Sequence, residues 1–123
     1  RAENRPVTTE VPVVAVASFK ATHDPASVAD IGHVIARLGD RAAQVVDARG
    51  AARFRGEAPE PRPGLRSGHM PGSLNLPFDA ISANGALKDA AEIRAAMEKA
   101  GIDPTKPVVT SCGSGVSACS CAA

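Results

Sequence analysis

The sequence contains no tryptophan and no tyrosine, so its three phenylalanines are the only aromatic residues among 123. Stacking platforms for nucleic-acid bases are therefore missing, and a core has to be assembled from Val, Ile, Leu and Ala. Charge of one sign is equally scarce: 14 Lys and Arg stand against 13 Asp and Glu, a formal net charge of +1, and like charges never run together. Such a chain has no electrostatic footprint for a polyanion, which excludes nucleic acid and leaves small molecules or proteins as expected partners. No apolar run approaches the roughly 18 residues of a membrane span, and no charged-then-apolar leader opens the chain, so a soluble, cytoplasmic protein is the expectation. The three cysteines, 112, 119 and 121, are odd in number and fit neither a disulfide framework nor a CxxC…CxxC zinc cage. Reduced thiols, no metal and no cofactor are expected.

What is present suits one domain: 44% hydrophobic and 22% charged residues over a length that supports a single core. Residues 1–16, with Pro6 and Pro12 and no helical period, read as a linker or edge segment, and residues 17–123 as the folded domain. Asp24-Pro25 is a helix-start signal, after which Val28, Ile31, Ile35 and Leu38 recur at helix spacing before Gly39. Gln44–Ala48 has the β-branched, apolar character of a buried parallel strand, with Asp47 near its carboxyl end. From Arg49 to Pro77 turn formers dominate, interrupted by a short strand candidate at 73–76, and so long a loop is usually functional. Asp89 with Glu92 forms a capping pair, and Ile93 with Met97 marks the buried face of a helix that ends at Gly101. Pro107–Thr110 is the next strand. Alternating strands and helices give an α/β domain, a parallel sheet with helices on both faces, whose ligands bind beyond the carboxyl ends of the strands.

The segment "SCGSGVSACSC" (111–121) begins where that last strand stops. Gly113 and Gly115 free the backbone to turn successive N–H groups of the loop, through Val116 and Ser117, toward one point where an anion would sit. A helix begun at Val116 adds positive potential there, which lowers the pKa of Cys112 and makes it a nucleophilic thiolate. The other reading is a small buried apolar thiol in an ordinary glycine-rich turn. Cys119 and Cys121 fall on the helix, where packing roles are expected, since a redox or metal pair made by the two lacks His or further Cys partners.

Two stretches, "DARGAARFRGEAPEPRPGLRSGHMPGSLNLPF" (47–78) and "VVTSCGSGVSAC" (108–119), resemble the rhodanese family. Within it, the neutral Cys-Gly-Ser-Gly-Val-Ser loop and the Arg-Phe-Arg-Gly and Glu-Pro-Arg segments resemble the C-terminal, catalytic domain of two-domain mercaptopyruvate sulfurtransferases. The resemblance, over residues 19–121, implies a rhodanese-like α/β fold and transfer of a sulfane sulfur. A donor thiol or thiosulfate gives its sulfur to the cysteine, and cyanide or a thiol, whether a small thiol or a thioredoxin-like protein, accepts it. It implies that Cys112 forms the persulfide, that Ser114 assists, and that Arg53 and Arg62 hold the substrate's carboxylate and carbonyl. A guanidinium fork suits a 2-oxo carboxylate, whereas without the resemblance both arginines read as solvated or salt-bridged side chains. Arg55 and Arg66 keep that second reading, "GHMPG" with His69 reads as a structural turn, Asp47 and Arg49 as supports of the loop end, and His23 and His33 as side chains without function.

Because the loop after Cys112 carries no charge, monoanionic 3-mercaptopyruvate is favoured over dianionic thiosulfate. A cysteine phosphatase or arsenate reductase would place an arginine after its cysteine, and none follows Cys112. Thiosulfate:cyanide transfer and a non-catalytic rhodanese-like interaction module are the alternative functions. Measured against the family, the final strand and helix and an amino-terminal rhodanese-like partner domain are expected to be missing, so the domain reads as truncated at its C-terminal end.

Overall fold

Gln44-Val45-Val46-Asp47 stiffens at χ1 through its two valines and forms the central strand of a parallel sheet. A computed structural model describes residue 6 and residues 8–122. In chain order it holds a 3-10 turn at Pro25–Ser27, α1 (Ile31–Asp40), β1 (Gln44–Asp47), α2 (Ala51–Phe54), β2 (Leu74–Asn75), α3 (Phe78–Ile81), β3 (Ser82–Ala83), β4 (Ala86–Leu87), α4 (Ala90–Lys99), β5 (Val108–Ser111) and α5 (Val116–Ala122). The sheet has the order β2-β1-β5 with both pairings parallel, and β3 and β4 form a separate hairpin around Asn84-Gly85. That dipeptide takes positive φ at both positions, as the tight hairpin turn demands.

Val46 and Leu76 pack with Ile81 and Ile102, and Ile93 and Met97 of α4 and Cys121 of α5 close over them. Side chains alternate along a strand, so Val45 is buried on the opposite face at 2% exposure, and α1 packs beside β1. Asp89 and Glu92 form the predicted capping box of α4, each satisfying a backbone N–H of the other.

Several expectations are corrected. Asp24-Pro25 opens only the 3-10 turn; Val28 leaves it in extended geometry, and α1 starts at Ile31 with Asp30 as its cap. Gly39 does not stop α1, which runs to Asp40 and ends on Arg41 in the left-handed region. Ile31 and Ile35, expected to face the core, are 80% and 63% exposed among the described residues. The loop from Arg49 to Pro77 contains the helical turn α2, and its strand is only Leu74–Asn75. Of the expected linker, residues 1–5 and 7 lie outside the described residues, as does Ala123 at the other end; residues 8–16 form neither helix nor strand.

Parallel register pairs Asp47 with Ser111, and the Ala48 N–H donates to the Ser111 carbonyl at 2.8 Å. The loops that follow β1 and β5 therefore leave the sheet side by side at its carboxyl end. That adjacency positions the site.

Candidate active site

Cys112 is the first residue beyond β5, and α5 begins four residues later at Val116. The chain reverses through Gly115, whose φ of +88° is a conformation that L side chains rarely adopt. The reversal folds the backbone around the sulfur: the Gly115 N–H donates to Cys112 Sγ at 2.9 Å and the Ser114 N–H at 3.4 Å. Burial pushes the Cys112 thiol up, but the backbone N–H groups of Ser114, Ala118, Gly115 and Ser117 together outweigh it, and its pKa lies below the ordinary thiol value. Cys121 behaves oppositely: burial, then the neighbouring Cys112, push its pKa up. Gly113 and Val116, expected among the loop donors, are not among those four groups, while Ala118, which was not expected, is.

Because ionisation of Cys112 is favoured in the folded protein, the thiolate's contribution to stability is complete above the unfolded thiol's pKa and is lost as pH falls through the lower, folded value. Residue-resolved alkylation with iodoacetamide is expected to titrate Cys112 at lower pH than Cys121, and coincident profiles would show that the amides do not act on the sulfur. Gly115→Ala strains the turn by about 1–2 kcal/mol and turns its N–H away. Its Cys112 profile is expected to move toward higher pH, with sulfur chemistry slowed about tenfold or more at neutral pH.

Four charged side chains stand beside the loop. Arg49 donates from Nε to both oxygens of Asp47 at 3.0 Å, from Nη2 to Asp47 Oδ2 at 2.6 Å and to the Gly68 carbonyl at 2.7 Å, and from Nη1 to Glu60 Oε1 at 2.8 Å. Arg53, on α2, grips the same Glu60 through Nε at 3.1 Å and through Nη2. Glu60 is thus shared by two guanidinium groups, and those hydrogen bonds and charges, Arg53's foremost, hold its carboxyl below the usual range. A Cβ on Gly113 would lie 2.9 Å from Arg53 Nη2, so the missing side chain is what lets the cysteine loop and this guanidinium approach.

Two cavities meet at Gly113. One of about 670 Å³ is lined by Cys112, Ser111, Arg49, Arg66 and His69. The other, of about 160 Å³, is lined by Arg53, Arg62, Glu60, Ser114 and Ser117 among others. Both candidate arginines, the loop serine and the cysteine loop are therefore brought to one place. Arg53 reaches it already paired, whereas Arg62 has no ion-pair partner among the described residues.

The remaining expectations divide. Asp47 and Arg49 do support the loop end, and Asn75 Nδ2 ties the carbonyls of both at 2.8 and 2.9 Å. His69 stacks on Phe54 with ring centroids 3.8 Å apart, and its Nδ1 lies 2.7 Å from the Phe54 carbonyl, which fixes it as a donor in a structural turn. Arg55 forms an exposed pair with Glu57, and Arg66 lines the larger cavity with no ion-pair partner among the described residues. Cys121 packs in the core as expected; Cys119 does not, being exposed on α5. Glu60 was not foreseen as a site residue.

The rhodanese-like domain model matches residues 31–123. The chain belongs to this family. Human 3-mercaptopyruvate sulfurtransferase is 42% identical to this chain over 118 residues, 95% of the chain and 40% of the human protein. Bovine thiosulfate sulfurtransferase is 39% identical over 119 residues, again 95% of this chain and 40% of that protein. Among solved structures, Escherichia coli SseA, described with the rhodanese fold and catalytic mechanism of 3-mercaptopyruvate sulfotransferases, superposes with a TM-score of 0.71 at 38% identity, covering 84% of this chain and 38% of that one. The chain spans about two-fifths of the length of the curated relatives it matches. No helix among its described residues is long and apolar enough to cross a membrane.

Proposed function

We propose that this protein is a sulfurtransferase that moves a sulfane sulfur from 3-mercaptopyruvate to a thiol or cyanide through a persulfide on Cys112. The observation that carries this reading is the sulfur of Cys112 held by loop amides beside a small cavity lined by Arg53, Arg62 and Ser114. Similarity to the human and bovine sulfurtransferases supports the reaction class, and the uncharged loop supports the monoanionic donor.

In the donor step the Cys112 thiolate attacks the thiol sulfur of 3-mercaptopyruvate. The new S–S bond forms as the C–S bond breaks, the electron pair of that bond leaves as the pyruvate enolate, and the enolate takes up the thiol's proton to give pyruvate. Arg62 and the outer face of Arg53 hold the carboxylate and carbonyl, and Ser114, in the loop itself and lining the same cavity, assists the proton transfer. The terminal persulfide sulfur is itself anionic, so the amides that hold the thiolate also suit the charged intermediate. An acceptor thiol or cyanide then attacks that outer sulfur and the Cys112 thiolate departs. The thiol acceptors, a small thiol or a thioredoxin-like protein, place the reaction in a reducing compartment, and we propose the cytoplasm.

Mixing the protein with 3-mercaptopyruvate in the absence of an acceptor is expected to release one pyruvate per chain and then stop. Thiosulfate offered instead is expected to release sulfite more slowly. Release of no pyruvate would overturn the proposal, and faster sulfite release would establish the thiosulfate reading in its place.

A further inference from the structure

We propose that the larger cavity receives the acceptor and that Arg66 is its specificity-determining residue, selecting small thiols that carry a carboxylate. This rests on the proposed sulfur transfer and names the acceptor class of the same site.

The cysteine loop stands between the two cavities. Arg53, Arg62 and Ser114 line the small one and Cys112 does not, whereas Cys112 lines the large one together with Arg66, Met70 and Pro71. Gly113 belongs to the walls of both. A donor whose carboxylate occupies the small cavity reaches the sulfur from that side, so the larger side is left for the second reactant. Its volume of about 670 Å³ is ample for a small thiol.

The titratable and charged side chains that line this cavity are Asp47, Arg49, Glu60, Arg66, His69 and Cys112. Most of them are already engaged. Asp47 accepts from Arg49, and Glu60 accepts from Arg49 and from Arg53 of the neighbouring cavity. His69 is stacked on Phe54 and bound through Nδ1 to its carbonyl. Arg66 is exposed and has no ion-pair partner among the described residues. It is the cation of this wall that a ligand can still use.

The second half of the reaction gives that cation a task. The persulfide places negative charge at the loop, and a carboxylate on the acceptor brings more of the same sign. A guanidinium on the acceptor's side can take that carboxylate with two parallel hydrogen bonds and offset the repulsion. A neutral thiol gains nothing from Arg66, and a thiol with an ammonium group is repelled by it. Leu65, 54% exposed, adds apolar wall beside Met70 and Pro71 for the carbon chain between carboxylate and sulfur. In the step itself the acceptor's sulfur bonds to the outer sulfur and its thiol proton passes to that atom. The S–S bond to Cys112 breaks, its electron pair leaves as the Cys112 thiolate, and the acceptor departs as a persulfide.

The test is Arg66→Gln, assayed with saturating 3-mercaptopyruvate and three acceptors: 3-mercaptopropionate, neutral 2-mercaptoethanol and cationic cysteamine. The ratio of kcat/KM for 3-mercaptopropionate to that for 2-mercaptoethanol is expected to fall about fivefold, the worth of one partly exposed ion pair. In the wild type the same ratio is expected to fall as salt is added. Arg66→Glu is expected to lower the ratio further and to raise cysteamine relative to 2-mercaptoethanol, while Arg66→Lys lies between wild type and Arg66→Gln. The loss is expected in the acceptor's kcat/KM and not in the rate of the first pyruvate released without acceptor. An unmoved ratio overturns the assignment, as does an equal loss in that first pyruvate, which would place Arg66 with the donor. Should Arg66→Gln fail to fold, the wild-type ratio decides: a preference for 3-mercaptopropionate that salt does not weaken overturns the assignment. If the wild-type protein releases no pyruvate at all, the sulfurtransferase reading fails instead, before Arg66 is tested.

Discussion

Cys112→Ser is expected to lower sulfur transfer by more than about a thousandfold while leaving the fold in place. A serine hydroxyl is not ionised near neutral pH, and the bond it would form to sulfur is not a disulfide that an acceptor thiol could exchange. The loop amides of Ser114 and Gly115 can still donate to an oxygen at that position, so the turn keeps its partners. Circular dichroism and the urea midpoint should match wild type, which separates lost chemistry from lost structure. Cys119→Ser provides the internal comparison, because Cys119 is exposed and stands outside both cavities. Its rate is expected to equal wild type, and a comparable loss there would move the chemistry away from Cys112.

Asp47→Ala should have the largest effect on stability, with a loss of about 3–5 kcal/mol. Asp47 accepts from the Arg49 backbone N–H at 2.9 Å and from its Nε and Nη2, and both side chains are nearly sealed from water. Removing the carboxylate leaves a buried guanidinium with Glu60 alone to balance it, and Glu60 must then be divided differently between Arg49 and Arg53. The urea midpoint should fall well below wild type, and the surviving folded fraction should bind the donor more weakly because Arg53 has lost its fixed geometry. Breaking the exposed Arg55–Glu57 pair by Glu57→Ala is expected to leave the midpoint where it is. Equal effects from the two substitutions would contradict the buried-network account.

How far the sequence discloses this molecule depends on whether a feature is local. The valines of β1 and the Asp89 and Glu92 capping box are legible because each is specified within a few residues. Two aspartates, at 24 and 30, both precede apolar residues, and the first, followed by proline, is the stronger signal; only the extended geometry of Val28 shows that a helix cannot pass between them. The apolar spacing of Ile31 and Ile35 announces a helix correctly but not what covers it. One helical turn, such as α2, is too short to produce a period.

The site divides in the same way. Cys112, Gly115 and Ser114 lie within four residues and carry a recognisable loop, and the resemblance to the rhodanese family leads to Arg53 and Arg62. Glu60 stands in the quoted Glu-Pro-Arg segment, yet its importance comes from the approach of two arginines that only the folded chain reveals. Ala118 contributes a backbone N–H, which no side chain signals.

The central claim, that the amide-held sulfur of Cys112 carries a second sulfur, is tested most directly by peptide-resolved mass spectrometry after brief exposure to 3-mercaptopyruvate. A gain of one sulfur atom confined to the peptide's Cys112, and removed by cyanide with formation of thiocyanate, is the predicted result. A gain on Cys119 or Cys121 with Cys112 unmodified, or a Cys112 adduct that cyanide leaves in place, would contradict it.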